Sequence, residues 1–185
     1  LIIWVVFSSF SLDAQAANPE LWVNDKHITS AKVEVMVDRK NLNRKFQKWL
    51  DTSVADLEKI LPEFGIRQSE EARFSIVVGE VVPEALNALA QRERYPRQTS
   101  VISTGDDTVY ITSPGARGLS KAVYTFLDRL GVRWYTPGKW GVSLPEGKVE
   151  LAKGSFVDGP DFLFRSFYWG KIGGYPKDMQ EDYER

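Results

Sequence analysis

Leu119, Ala122, Val123, Phe126, Leu127 and Leu130 recur at steps of three and four residues. That spacing puts them on one stripe of a helix and leaves the other side polar. Gly131 follows at once, where a left-handed glycine ends a helix. A helix that is apolar on one side only must lie against something flat, so the chain needs a sheet. A second stripe runs through Leu42, Phe46, Trp49, Leu50, Leu57, Ile60 and Leu61 and stops at Pro62 and Gly65.

The strands are readable between the helices. Ala31 to Val37 alternates, with Val33, Val35 and Val37 on one face. Phe74 to Val78 is a short β-branched run and reads as a buried strand. Pro83 opens a brief helical stretch. Thr99–Ser103 and Thr108–Thr112 flank Gly105-Asp106-Asp107 and predict a hairpin. Val132 to Tyr135 resumes an extended pattern. The order predicts an α/β fold of the α+β two-layer type. A small mixed sheet carries both long helices on one face.

Composition removes whole classes of function. With 24 basic and 25 acidic residues the net charge is -1, which gives no gross attraction to nucleic acid or an anionic membrane. There is no cysteine, which excludes thiol catalysis, disulfides and thiolate zinc sites. One histidine, His27, excludes a metal site built on several imidazoles. The expectation is a chain with no cofactor and no metal.

The ends differ from the middle. Leu1 to Phe10 is almost wholly apolar but too short to span a bilayer, and Ala14-Gln15-Ala16 fits the small-x-small cleavage rule. Residues 1–16 are therefore expected to be the remnant of a signal peptide. That implies export, periplasmic or extracellular, with no membrane span in the mature chain. No cysteine lies at the cleavage point, which excludes a lipoprotein anchor. Residues 17–160 read as the α/β domain, and 161–185 as the start of a further domain.

Several candidate sites have plainer readings. Ser113-Pro114-Gly115-Ala116-Arg117-Gly118 could cradle a phosphate at a helix start. It matches neither G-x-G-x-x-G nor a Walker motif, so a tight strand-to-helix turn is the expectation. Glu70-Glu71 and Asp106-Asp107 are adjacent acids in turns, not carboxylates opposed across a sugar. His27 has no partner in its neighbourhood of the sequence. Trp134, Tyr135, Trp140, Phe156, Phe162, Phe164, Phe167, Tyr168, Trp169 and Tyr175 crowd the last third. Such rings either pack one domain on the next or stack on sugars, and composition favours packing.

The helix segment ARGLSKAVYTFLDRLGVRWYTPGKWG, followed by DGPDFLFRSFYW, resembles the N-terminal accessory domain of several glycoside hydrolases. These are the family 20 β-hexosaminidases, the family 67 α-glucuronidases and a related bacterial group. The likeness covers most of residues 30–169. In those proteins an α/β domain precedes the catalytic barrel and packs against it, so the resemblance implies that 161–185 are the start of a truncated catalytic (β/α) barrel and hold its first strand. The family 20 junction resembles D-x-P-x-F-x-x-R, which stands here as Asp158, Pro160, Phe162 and Arg165. Ser166 replaces the usual glycine and Asp161 a common basic residue, which points away from the hexosaminidases proper. The resemblance implies that Arg165 hydrogen-bonds a sugar and that Trp169 is a second substrate contact. It implies a carbohydrate substrate, bound by the barrel, and catalytic carboxylates beyond Arg185. The alternative is a non-catalytic carbohydrate-binding or interaction module of a cell-surface protein.

Overall fold

Asn24 and Asp25 take positive φ, 47° and 62°, which asparagine and aspartate tolerate better than most residues. Two such residues in succession make the hairpin turn that joins β1 (Glu20–Val23) to β2 (Lys26–His27). The computed structural model describes residues 18–79, 83–135 and 141–161. After β2 the alternating valines form β3 (Ser30–Met36). Helix α1 (Arg44–Ile60) comes next, its first turn capped by the Asn43 side chain, which accepts from the Lys45 N–H. A short 3-10 turn carries Pro62 and closes on Gly65 at φ 70°, so both stop signals act.

Two short strands come after it, β4 (Arg67–Gln68) and β5 (Ser75–Gly79), then α2 (Glu84–Gln91). The expected hairpin is β6 (Ser100–Thr104) and β7 (Thr108–Thr112). It leads into α3 (Ala116–Arg129). Gly131 sits at φ 85°, its N–H bonded to the Asp128 carbonyl, while the Val132 N–H reaches the Leu127 carbonyl. These paired bonds satisfy the last carbonyls of α3, as the glycine predicted. The remaining described strands are β8 (Arg133–Trp134), β9 (Val142–Ser143), β10 (Lys148–Leu151) and β11 (Gly154–Asp158).

The main sheet has six strands in the order β11-β6-β7-β5-β3-β4. β4, β3, β5 and β7 run parallel, while β6 is antiparallel to β7 and β11 to β6. The parallel strands all end on one side of the sheet, where α1 and α3 begin. Both long helices lie on the face formed by Val33, Val35, Ile76, Val78, Val109 and Ile111, in the mixed α/β layering expected. Phe126, Leu57 and Leu127 are fully buried there, and each such side chain contributes about 1.5–3 kcal/mol. The helices also bond to each other: Ser120 Oγ donates to the Trp49 carbonyl at 3.2 Å. Tyr124 Oη donates to Asp56 Oδ2 at 2.7 Å.

Helix α2 lies on the other face. Leu86 and Ala90 pack with Val101, Tyr110 and Val157, whose strand neighbours Ile102 and Ile111 point into the main core. β1 pairs in parallel with β10, and Leu21, Val23 and Leu151 join the main core from that small sheet. The expected barrel strand, with Arg165 and Trp169, and the signal segment lie outside the described residues. Among the described residues no helix is long and apolar enough to cross a membrane.

Candidate functional site

The junction motif begins where β11 ends, and α3 holds it. Lys121 Nζ lies 2.8 Å from Asp158 Oδ2 and also donates to the Asp158 carbonyl at 3.2 Å. Thr125 Oγ1 donates to the same carboxylate at 3.4 Å. Lys121 and Thr125 are four apart, so they project from one side of the helix. Gly159 passes so close to Glu93 that a Cβ there would sit 2.7 Å from Glu93 Oε2. Pro160 is then buried beside Gln98, Arg117, Gly118 and Lys121. Two of the four motif residues are thus placed, and both position the chain. Phe162 and Arg165, with Trp169, fall outside the described residues.

An open groove of about 570 Å³ runs along α3 beside β11. Trp134, 40% exposed, stands edge-on to Tyr124 with centroids 5.6 Å apart and planes at 88°. The Arg129 guanidinium lies 4.1 Å from the centre of the Phe156 ring. Arg133 pairs with Asp128 at 2.7 Å, and Asp158 is held by Lys121. Both carboxylates of the groove are therefore engaged by cations. The groove offers a surface for contact, with an aromatic and a cationic wall. Of the aromatic cluster in the last third of the sequence, Trp134 and Phe156 line this groove and Tyr135 is 75% exposed.

The glycine turn before α3 is a packing device, in keeping with the plainer reading. A Cβ on Gly115 would meet the Arg97 carbonyl at 2.5 Å. One on Gly118 would meet Ser113 Oγ at 2.0 Å and the same carbonyl at 2.8 Å. These glycines let the 3-10 turn Pro96–Gln98 lie directly on the helix.

The adjacent acids serve as ties. Lys26 pairs with Asp107 at 3.0 Å, Lys153 with Asp106 at 2.8 Å, and Asn24 Nδ2 donates to the Gly105 carbonyl at 2.8 Å. The β1–β2 turn is thereby fastened to the β6–β7 turn. The hydrogen bond and charge of Lys153 hold the Asp106 carboxyl below its usual range. Glu70 pairs with Lys32 at 3.0 Å, and that bond, with the nearby Glu34 charge, raises the Lys32 ammonium above its ordinary value. His27 stacks on Trp22 at 5.1 Å with planes 13° apart. Sequence reasoning missed Lys121 and Thr125 as anchors of the junction, and their four-residue spacing was the available signal.

Neither a protein-family model nor a curated protein matches the sequence. Among solved structures, the chain has a partial likeness to two glycoside hydrolases. One is described as a "GH138 enzyme targeting pectin rhamnogalacturonan II", at 17% identity and a TM-score of 0.36, covering 55% of this chain and 10% of that one. The other, "Structure of CpGH84D", is at 11% identity and a TM-score of 0.31, covering 58% and 18%. The chain thus spans less than a fifth of either protein's length.

Proposed function

We propose that residues 17–160 are the accessory α/β domain of an exported, carbohydrate-active protein, a glycoside hydrolase. Its catalytic carboxylates would lie on chain beyond Arg185. The observation that carries this reading is the Asp158–Lys121–Thr125 contact at the end of β11. It ties Asp158, the first residue of the D-x-P-x-F-x-x-R junction, to the middle of α3. On this view the domain does no chemistry itself. Its role is to support the barrel and pack against it.

In this reading residues 1–16 direct export, and 161–185 begin the barrel. Arg165 offers a planar fork of donors to adjacent sugar hydroxyls, and Trp169 a ring for stacking. Hydrolysis would proceed through two carboxylates flanking the glycosidic bond.

The test is hydrolysis of a panel of aryl glycosides, including a glucuronide and an N-acetylglucosaminide, by the longer protein and by this chain side by side. Turnover by the longer protein alone is the expected result. A folded longer protein that is silent across the panel would overturn the hydrolase reading and turn attention to a binding module, to be checked by glycan binding.

A further inference from the structure

We propose that the open groove along α3 beside β11 binds a sugar that carries a carboxylate, a uronic acid within an oligosaccharide. The proposal rests on the proposed function in one respect, that the ligand is a carbohydrate.

Two rings are left bare in this groove. Trp134 is 40% exposed and Phe156 37%, two of the four large apolar side chains exposed among the described residues. Both line the same space of about 570 Å³, inside the range of roughly 300–1,000 Å³ typical of small-molecule sites. The indole is braced in place. Tyr124 meets it edge-on, and the Tyr124 hydroxyl donates to Asp56 of α1 at 2.7 Å. A ring held in position before the ligand arrives costs less to use.

Arg129 is the cation of the groove without a matching acid. Lys121 pairs with Asp158 at 2.8 Å and Arg133 with Asp128 at 2.7 Å. Among the described residues, no carboxylate lies within ion-pair distance of Arg129. Its guanidinium lies over the Phe156 ring instead, 4.1 Å from the centroid. A ring contact of this kind takes up no hydrogen-bond acceptor, so the guanidinium keeps its fork of donors for one. A carboxylate accepts that fork through both oxygens, and it balances the one cation in excess.

The same charges argue against a protein face as the occupant. Lys121, Asp128, Arg129, Arg133 and Asp158 make up half of the lining. The core of a protein interface is depleted in such groups, and a packed face would take all five out of water. A sugar suits the groove better. Its ring lies on the aromatic wall, while its hydroxyls meet the charged wall and stay hydrated.

The test titrates the whole chain, isotopically labelled, with a trisaccharide of glucuronic acid, with its methyl ester and with acetate. The acid should give saturable shifts of the Trp134 indole N–H and the Arg129 Nε–H. The ester should bind about tenfold more weakly or worse, because a hydrogen-bonded charge is lost. Acetate should move neither resonance at the same concentration. Arg129→Gln should weaken binding of the acid to the level of the ester, and Trp134→Ala should abolish it. Unchanged contacts between the paired residues Ile76 and Val109 check the fold of both variants.

No saturable shift would overturn the proposal, as would equal affinity for the ester or acetate binding as tightly as the sugar acid. Nuclear Overhauser contacts that show both rings already covered by another part of the free chain would overturn it too. Binding at the groove in a longer protein silent on all glycosides would sink the hydrolase reading and leave this site. An active longer protein that binds nothing here would do the reverse.

Discussion

Lys121 reaches Asp158 twice, through its carboxylate at 2.8 Å and its carbonyl at 3.2 Å. One ammonium thus joins the side chain and backbone of the last residue of β11 to the middle of α3. The pair is about one-third exposed, at 34% and 38% of the side-chain surface, so the surrounding water screens it. Replacement by Lys121→Met should cost about 0.5–1 kcal/mol and lower the melting temperature by about 1–4 °C. Amide exchange at 157–159 should quicken while β7 is unchanged. Unaltered exchange at the end of β11 would show that β6 pairing alone holds the junction.

Gly118→Ala sets two effects against each other. In a helix, alanine is favoured over glycine by about 1 kcal/mol. Here the added Cβ would lie 2.0 Å from Ser113 Oγ and 2.8 Å from the Arg97 carbonyl. Overpacking of this kind costs about 1–3 kcal/mol, so the clash wins and the variant should be less stable. Gly65→Ala is the contrast: no atom lies within 4 Å of its Cβ, and the cost comes from φ 70° alone. Chemical denaturation of both separates steric from backbone strain. A Gly118→Ala chain as stable as the original would mean that the Arg97 turn gives way freely.

The two apolar clusters should answer differently to truncation. Phe126 is fully buried in the main core, and Phe126→Ala should cost about 3–5 kcal/mol and destabilise the whole molecule. Leu86 belongs to the small cluster under α2. Leu86→Ala should cost nearer to about 2 kcal/mol and free the amides of α2 without loosening β5. Global unfolding caused by Leu86→Ala would show that α2 is integral to the sheet.

These contrasts show which features of the fold were legible. The α3 stripe and Gly131 could be read because a 3.6-residue period and a left-handed stop are local properties. The hairpin was legible for the same reason, since Gly105 and its neighbours lie between two alternating runs. The pairing of Glu20 with Lys148 was not legible, because both strands are short and the register depends on residues far apart in sequence. The opposite-face position of α2 depends on which of Val101 and Ile102 turns inward, and both are apolar. The site was less legible than the fold. Asp158 looked like a motif letter, and only its Lys121 and Thr125 partners show it to be a strut. The acids at 106 and 107 looked like solvated turn residues, and their partners Lys26 and Lys153 lie far away in sequence.

The Asp106–Lys153 pair gives a pH dependence with a definite sign. The folded carboxyl is held below its ordinary value, first by the Lys153 hydrogen bond and then by its charge. A depressed folded pKa contributes stability that is fully present above the unfolded value. That stability is lost as the pH falls through the folded value. Lys153→Ala should therefore move the Asp106 titration upward, read from its side-chain carbonyl shift. The stability gap between the variant and the original should be open at neutral pH and close below the folded Asp106 pKa. Because both partners are exposed, added salt should shrink the gap as well. An Asp106 titration that stays depressed in Lys153→Ala would transfer the effect to Lys26, whose charge also faces this carboxyl.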